Sequence, residues 1–230
     1  MSQNFSTNTI DALTIDCLIF GFQGSQLEIL LVEHGEGIIK GRWALPGGWV
    51  TYDENIDDAA YRILKDLTGV DDLYLEQLHA FGDVSRYPGK RVITIAYIAL
   101  TKPENYRLIP GFTASDARWF DVKSVKDLPY DHQEILDAGL SSLKRKVKYE
   151  PIGFNLLPEK FTLLEIQELY EAILDVKLDK PNFRRKIMKM NLLISCNEKQ
   201  EGVSHRAASL YRFDKEVYDK LQKKGFNFEL

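Results

Sequence analysis

The chain has 230 residues, of which 44% are hydrophobic, and it carries a formal net charge of −4 at pH 7. This length and composition suffice for one large domain or two medium domains with an ample core. There is no run of about 18 apolar residues, which a membrane span would need, and no basic-then-apolar leader at the start of the chain. We therefore expect a soluble, cytoplasmic protein with no membrane partner.

The two cysteines, Cys17 and Cys196, are far apart in sequence and lie in apolar, strand-like stretches. Two cysteines cannot hold a metal cluster, and free cysteines are among the most buried residue types. Disulfides are rare in the cytoplasm. The sequence predicts two buried thiols rather than a disulfide, and neither a metal nor a cofactor is expected.

The first two thirds of the chain read as strands interleaved with helices. Runs rich in β-branched and aromatic residues predict strands at 14–22, 27–33, 78–84, 92–100 and 117–121. Residues 23–25, Gln-Gly-Ser, join the first two strands into a hairpin, and a helix is predicted from about residue 131 to residue 148. His34, in the polar loop after the hairpin, is either a substrate contact in a hydrolase or a solvated loop residue.

The stretch from Gly41 to Val70, GRWALPGGWVTYDENIDDAAYRILKDLTGV, joins a Gly-Gly turn to a helix. A polar residue is placed to cap this helix, acidic residues occupy its first turn, and Gly69 supplies its end. The spacing from Gly48 through Glu54 and Arg62 to Gly69 resembles the Nudix box, whose usual form is G-x5-E-x7-R-E-U-x-E-E-x-G-U. In that family the box builds a metal-diphosphate site.

The three metal-binding glutamates of the box correspond here to Ile63, Asp66 and Leu67, which share one helix face. Magnesium prefers a shell of oxygen ligands, and two of the three carboxylates are absent. Ile63 and Leu67 instead extend an apolar stripe at helical spacing. The sequence predicts a Nudix fold kept for binding, with no catalytic residue. Glu54 and Asp66 leave a hydrolase as an alternative, and a capped amphipathic helix without any site is the simplest one.

A loop at residues 85–91 separates the predicted strands 78–84 and 92–100 and is rich in basic and aromatic side chains. Guanidinium and ammonium groups hold phosphate, and aromatic rings stack on sugars, so this loop predicts a cradle for an anion or a sugar. A solvated hairpin tip is the alternative. The predicted effector-binding residues are Arg42, Trp43, Glu54, Arg86, Tyr87, Lys90 and Arg91.

A Pro-bounded connection, EPIGFNLLP at 150–158, marks a change in the character of the chain. Acidic side chains outnumber basic ones before this connection, and basic side chains outnumber acidic ones after it. We place the domain boundary here, with an effector-binding domain at 1–149 and a second domain at 150–230.

The second domain begins with a helix-turn-helix pattern. Thr162 and Glu165 form a capping box before an apolar-periodic run, and Asp179 caps a second helix that is strongly basic. Two short strands, 192–196 and 209–213, then flank a polar loop that reads as a wing. A recognition helix needs an apolar rear, polar donors for base edges and cations for phosphates. The predicted DNA-binding residues are Lys180, Asn182, Arg184, Arg185, Lys186 and Lys189 of the helix, and His205 and Arg206 of the wing.

The whole chain, over residues 10–215, resembles the Nudix-related transcriptional regulators of bacteria. The resemblance rests on GRWALPGGWV, PGKRVITIAY, EPIGFNLLPEKFTLLEIQELYEAIL and DKPNFRRKI. It implies an α+β fold, with an N-terminal Nudix-like α/β/α sandwich followed by a C-terminal winged helix-turn-helix domain. It also implies a homodimer that binds double-stranded operator DNA and responds to a small-molecule effector.

Known branches of this family respond to ADP-ribose or to sugars such as L-arabinose, and repression with release by the ligand is their commoner arrangement. The resemblance therefore implies an effector-responsive regulator, a repressor by that arrangement, that senses a pentose or ADP-ribose. A magnesium-dependent hydrolase of ADP-ribose-like nucleoside diphosphates with a dimerising tail is the main alternative. A protein-binding adaptor is the third, and it would show no salt-sensitive affinity for DNA.

Overall fold

The computed structural model describes residues 12–202 and 206–224. The described residues form two compact units: the first comprises residues 12–20, 29–99 and 104–139, and the second comprises 21–28, 100–103, 140–202 and 206–224. The tip of the first hairpin belongs to the second unit, where the hydroxyl of Ser25 donates a hydrogen bond to the carboxylate of Glu168 at 2.7 Å. The predicted boundary between residues 149 and 150 stays a prediction.

A seven-stranded sheet organises the first unit, with β3-β2-β1-β6-β5 as its central order, β4 paired with β1, and β7 paired with β2. The strands are β1 Leu13–Gln23, β2 Gln26–His34, β3 Trp43–Ala44, β4 Gly47–Trp49, β5 Glu76–Phe81, β6 Ile93–Thr101 and β7 Ala114–Asp121. Short 3₁₀ segments occupy Pro103–Asn105, Val122–Ser124 and Pro151–Leu156. β1 is buried along most of its length, as expected for a strand covered on both faces.

Two helices, α1 (Ile56–Thr68) and α2 (His132–Tyr149), cover the two faces of β1. Cys17 and Ile19 join the apolar cluster under α1, whereas Leu18, which points the opposite way, meets Gly139 of α2. A Cβ on Gly139 would lie 3.1 Å from a methyl of Leu18. This arrangement is the predicted α/β/α sandwich.

Helix α1 begins and ends where its sequence predicts. Asn55 occupies the N-cap position, Asp57 and Asp58 lie in the first turn, and Gly69 ends the helix in the left-handed conformation at φ 74°. The side chain of Asn55 bonds to Asp58 rather than to the helix backbone. The N-cap position is therefore as predicted, but the side chain of Asn55 makes no capping hydrogen bond.

The second unit contains a helix-turn-helix followed by a two-stranded hairpin. Its further elements are α3 Leu163–Leu174, α4 Lys180–Lys189, β8 Leu193–Lys199, β9 Ser209–Phe213 and α5 Lys215–Gln222. Thr162 and Glu165 make both bonds of the capping box at α3, and the carboxylate of Asp179 accepts the Asn182 N–H at 3.0 Å at α4. Phe161 forms a bridge with Tyr211 of β9, which adds a third short segment to the hairpin. This is a winged helix.

The predicted strands and helices are all present, with ends that shift by a few residues. The sequence did not predict β3, β4 or α5; the two strands have only two and three residues, and β4 begins with two glycines. Among the described residues, no helix is long and apolar enough to cross a membrane.

The cysteine prediction is correct for one residue and wrong for the other. Both thiols are free, and Cys17 is fully buried, which raises the pKa of its thiol. Cys196 is only half-buried, and it lies in β8, a strand in which no residue is fully buried.

Candidate functional site

The first unit contains a pocket with a volume of about 380 Å³, within the range of small-molecule sites. It lies beside β1, β4 and the C-terminal half of α1. Its lining residues are Thr14, Asp16, His34, Glu36, Gly37, Ile38, Ile39, Leu45, Gly47, Gly48, Trp49, Thr51, Arg62, Ile63, Asp66, Leu67, Arg86, Tyr87, Phe112, Thr113, Tyr130 and His132. These residues come from segments that are far apart in sequence, so the sheet and its loops bring them together.

A buried ion-pair network forms one part of this lining. The guanidinium of Arg86 donates two hydrogen bonds to Asp131, at 2.7 and 2.8 Å, and one to Asp16 at 3.1 Å. The side chains of Arg86 and Asp16 are only 4% and 6% exposed. Gly47 is required beside them, because a Cβ there would clash with Oδ1 of Asp16. The network fixes the loop at 85–91 against β1 and the start of α2.

His132 joins Arg86, Asp16 and Asp131 as the fourth residue of this polar network, which we call the pocket floor. Its Nδ1 accepts a hydrogen bond from the Leu45 N–H at 3.1 Å, so the ring proton of the neutral form lies on Nε2, which faces Asp16 at 3.5 Å. Burial lowers the pKa of His132, and the nearby Asp16 and Asp131 oppose that shift. His34 also lines the pocket, and burial lowers its pKa as well. Both imidazoles are therefore neutral at pH 7.

One side of the pocket is a continuous run of rings, which we call the aromatic wall: Trp49, Tyr87, Tyr130 and His132. Their ring centroids follow one another at 5.8, 5.1 and 5.8 Å. Trp49, at one end, is 45% exposed, and His132, at the other end, is 6% exposed. Contacts of this kind suit a ligand with a flat ring or a sugar face.

The Nudix-box helix presents an apolar surface to the pocket. Ile63 and Leu67 are each 3% exposed, and a Cβ on Gly48 would come within 3.1 Å of Ile63. Asp66 is the remaining carboxylate on this face. One carboxylate beside two apolar side chains does not provide the oxygen shell that a magnesium ion prefers. In the described chain, no group of three or more histidine, cysteine or acidic residues could hold a metal ion.

Glu54, just before this helix, and Arg62, in its middle, form an ion pair. The Arg62 guanidinium donates to both carboxylate oxygens of Glu54, at 2.7 and 2.6 Å, and to the carbonyl of Trp49 at 3.0 Å. The hydrogen bond from Arg62 lowers the pKa of Glu54 to about 2. Glu54 thus stays ionised, and its carboxylate holds the loop that precedes α1.

The predicted effector residues are only partly brought together. Arg86 and Tyr87 line the pocket, while Lys90 lies over the ring of Trp49 with its Nζ 5.2 Å from the centroid. Arg91 instead donates to the carbonyls of Gly82 and Asp83. The effector role of these loop residues stays a prediction.

The other three predicted effector residues do not line the pocket. Arg42 donates to the carbonyl of Asp127 at 2.9 Å, and Trp43 packs edge-on against Phe120. Glu54 holds Arg62, as described above.

Sequence reasoning missed several lining residues, including Asp16, Phe112, Tyr130 and His132. Asp16 lies within a predicted apolar strand, where an acidic residue is unexpected. This exception could have identified Asp16 as a candidate site residue. Phe112 and Tyr130 follow Gly111 and Pro129 in loops, and their sequence neighbourhood resembles ordinary turns. Nothing local to the sequence places these two rings at one pocket.

The second unit carries the basic helix α4. Phe183 and Ile187 are buried on its inner side, at 4% and 2% exposure, in agreement with the predicted apolar rear. The cationic and amide side chains that are exposed are Lys180, Asn182, Arg185, Lys186 and Lys189, and Arg184 is half-buried. Arg185 donates to the side-chain oxygen of Asn182 one turn away, which fixes a guanidinium and an amide near the N-terminus of the helix.

The wing is formed by β8 and β9, whose register shifts between Ser195 and Lys199. Arg206 is exposed just before β9. His205, the other predicted wing residue, lies outside the described residues. The fold and these two sites define a Nudix domain combined with a winged helix domain.

Comparisons with known proteins agree with this class. Residues 11–139 match the NUDIX domain, and residues 153–213 match the NrtR DNA-binding winged helix domain. The ADPR responsive transcriptional repressor NtrR of Acinetobacter baylyi is 33% identical over 220 residues, which cover 94% of this chain and 85% of that protein. The chain belongs to the NrtR-type family of Nudix-related transcriptional regulators.

Two solved structures show the same architecture. Shewanella oneidensis NrtR complexed with a 27mer DNA has a TM-score of 0.75 and 29% identity, covering 94% of this chain and 97% of its own. The NUDIX domain of the same protein complexed with ADP ribose has a TM-score of 0.55 and 28% identity, covering 62% of this chain and 99% of its own.

Proposed function

We propose that this protein is a cytoplasmic, ADP-ribose-responsive transcriptional repressor. In this proposal α4 and the wing bind operator DNA, and the pocket of the Nudix domain binds the effector. The observation that carries the proposal is the apolar pair Ile63 and Leu67, which lines the pocket at two of the three positions where the Nudix box has metal-binding glutamates. Such a pocket is suited to binding a nucleotide without cleaving it.

Support for ADP-ribose over a pentose comes from the size and chemistry of the pocket. A volume of about 380 Å³ exceeds what a single pentose fills, and its lining includes the extended aromatic wall. The Acinetobacter relative is named for its response to ADPR, and the Shewanella Nudix domain was crystallised with ADP ribose. A pentose such as L-arabinose is the competing effector.

Support for operator binding comes from α4. Its exposed side carries cations that suit phosphate contacts, and the linked Asn182 and Arg185 present hydrogen-bond donors suited to base edges. The predicted DNA-binding residues, including Arg206, remain part of this proposal.

The proposal is tested first by thermal unfolding of the full chain with ADP-ribose, L-arabinose or D-xylose. A ligand that binds only the native state raises the unfolding midpoint, and 100 times its Kd adds about 2.7 kcal/mol of stability. We expect a rise with ADP-ribose and none with the pentoses. A rise with a pentose alone would assign the protein to sugar control instead.

The second test uses an operator selected from a pool of random duplexes by the purified protein. We expect a salt-sensitive gel shift that ADP-ribose reverses. Failure to enrich any duplex would contradict a DNA-binding regulator, and enrichment without an effect of ADP-ribose would contradict this effector.

Hydrolysis of nucleoside diphosphates is the second candidate function, because Asp66 keeps a carboxylate at the pocket that is 46% exposed. We propose that no hydrolysis occurs. The measurement is turnover of ADP-ribose with excess magnesium or manganese. Turnover that is lost in Asp66→Asn but kept in Asp53→Asn, an acidic control that does not line the pocket, would establish an enzyme.

A further inference from the structure

Helix α4 carries an exposed apolar side chain on the side opposite its buried one. Phe183 and Ile187, four residues apart, are both buried. Pro181 and Arg185 have the same spacing two residues earlier, which turns them to nearly the opposite side of a helix with about 3.6 residues per turn, and both are exposed. Met188 follows Arg185 by three residues, so it shares this outer face, and it is 42% exposed.

The neighbour of Met188 on this face is held in place. The guanidinium of Arg185 donates a hydrogen bond to the side-chain oxygen of Asn182, one turn earlier. Met188 lies about 4.5 Å beyond Arg185 along the helix axis, at a rise of about 1.5 Å per residue. Successive base pairs of duplex DNA are about 3.4 Å apart. When α4 lies along a major groove, Arg185 and Met188 therefore reach the same base pair or neighbouring ones.

The surroundings of Met188 favour a polyanion over a protein partner. Helix α4, from Lys180 to Lys189, contains no acidic residue, and its lysines are exposed. The carboxylate of Asp179, at the N-cap, accepts the Asn182 N–H at 3.0 Å. Duplex DNA is the occupant that matches the positive charge of this face.

The major groove of DNA offers one apolar group to such a side chain. The base edges present hydrogen-bond donors and acceptors there, and thymine adds its C5-methyl group. Methionine is unbranched and polarisable, which suits irregular apolar contacts, and its thioether sulfur is only a weak hydrogen-bond acceptor. A base edge therefore offers Met188 little except the thymine methyl.

We propose that Met188 reads a thymine of the operator through its C5-methyl group, in the base pair that Arg185 contacts or in an adjacent pair. This inference rests on the proposed function and deepens it, because it names a base and the atom of that base that is recognised. Burial of one methyl group changes affinity roughly fourfold.

The test uses the selected operator with each thymine of one half-site replaced in turn by deoxyuridine. Deoxyuridine lacks the C5-methyl group and keeps the hydrogen-bonding edge. In fluorescence anisotropy titrations with the full chain, we expect one replacement to weaken the wild type roughly fourfold and to leave Met188→Ala unchanged. Met188→Leu keeps an apolar side chain and should keep the sensitivity. Val176→Ala is the matched control, since Val176 is 49% exposed and precedes α4, and it should behave as the wild type.

A second variant makes the result independent of side-chain truncation. Met188→Gln has a similar length but a polar end, so it should lose the sensitivity to the methyl group as the alanine variant does. Alanine, leucine and glutamine are good helix formers, so the unfolding midpoint should stay close to that of the wild type in all three variants.

The outcomes separate this inference from the proposed function. Equal affinity of the wild type for all deoxyuridine operators, or an equal loss in the wild type and in Met188→Ala, overturns the inference and leaves operator binding intact. Selection of an operator whose half-sites contain no thymine does the same. Failure to enrich any duplex overturns both the inference and the proposed function.

Discussion

At the scale of single residues, the pocket floor depends on one buried guanidinium between two carboxylates. Arg86 is bonded to Asp131 and Asp16, and all three side chains are at most 10% exposed. Removing one partner of a buried ion pair leaves the other charge without compensation, which costs far more than the pair contributes. Arg86 therefore acts first as a structural residue, whatever it also does for a ligand.

We expect Arg86→Ala to lower the free energy of unfolding by about 3–5 kcal/mol, because both aspartates keep their buried charge. Urea denaturation at pH 7 measures this loss. Lys65→Ala is the control, since the ion pair of Lys65 with Asp71 is exposed on both sides and should change stability by less than about 1 kcal/mol. A similar small loss for Arg86→Ala would contradict the structural role.

The burial of His132 leads us to expect that the stability of the protein falls at low pH. Its pKa is lowered by burial from the ordinary value of 6.5, so below pH 6.5 the unfolded chain binds a proton that the folded chain does not. The contribution of the neutral imidazole is thus fully present above pH 6.5 and declines as the pH falls. Asp16, Asp131 and Arg86 are the charged groups that face it.

We expect the unfolding midpoint of the wild type to fall from pH 7 to pH 5.5, and to fall less steeply in His132→Asn. The asparagine oxygen can still accept the Leu45 N–H but does not titrate. His79→Asn, at an exposed strand position against Phe81, should keep the wild-type slope. Thermal unfolding at stepped pH measures the slopes, and identical slopes in wild type and His132→Asn would exclude this histidine as the cause.

At the scale of elements, the ends of the helices follow from local chemistry. The hydroxyl of Thr162 accepts the Glu165 N–H at 3.1 Å, and the Glu165 carboxylate accepts the Thr162 N–H at 2.6 Å. We expect Thr162→Ala to destabilise the protein by about 1 kcal/mol, since a backbone donor loses its partner. Thr162→Ser keeps the hydroxyl and should lose much less in urea denaturation. Equal losses would attribute the effect to packing of the Thr162 methyl group.

Such local signals explain which features the sequence predicted. Thr162 and Asp179 cap helices through residues three positions away, and Gly69 ends α1 by its own conformation, so each pattern is visible in a short window. The pocket is different, because Asp16, Phe112 and Tyr130 meet only through the sheet and the loops it positions. Arg86 shows the limit most clearly. The sequence predicted that the loop of Arg86 forms an open cradle for an anion. The two aspartates that accept hydrogen bonds from its guanidinium are 45 and 70 residues away in the chain, so no local pattern indicated them.

At the same scale, the proposed contact between helix α4 and the DNA backbone can be tested. Lys189 and Lys186 are exposed in its last turn and are predicted to contact phosphates. Removing one lysine–phosphate ion pair should reduce the steepness of the salt dependence of binding by about one unit, for all duplex sequences alike. We expect this change for Lys186→Ala in gel shifts at several salt concentrations. Lys220→Ala, an exposed lysine of α5, is the control, and equal salt slopes in the two variants would remove Lys186 from the interface.

At the scale of the whole molecule, the proposed function has the effector and the DNA bind different units of the chain, so regulation requires a coupling free energy between the two sites. Ordinary allosteric coupling amounts to about 1–3 kcal/mol, which changes operator affinity by roughly 5- to 150-fold. An effector with equal affinity for both conformations would change nothing. The coupling is reciprocal, so operator DNA should weaken ADP-ribose binding by the same factor.

The predicted homodimer places a geometric requirement on the operator. Two recognition helices related by a twofold axis meet successive major grooves only when their half-sites are about 34–36 Å apart, or a whole number of helical turns. Inserting about five base pairs between the half-sites of the selected operator turns one half-site to the opposite face of the duplex. We expect this insertion to abolish the high-affinity gel shift and an insertion of about ten base pairs to restore part of it. Equal binding to all three operators, together with a monomeric mass in sedimentation, would show that a single winged helix suffices and would contradict the dimeric arrangement.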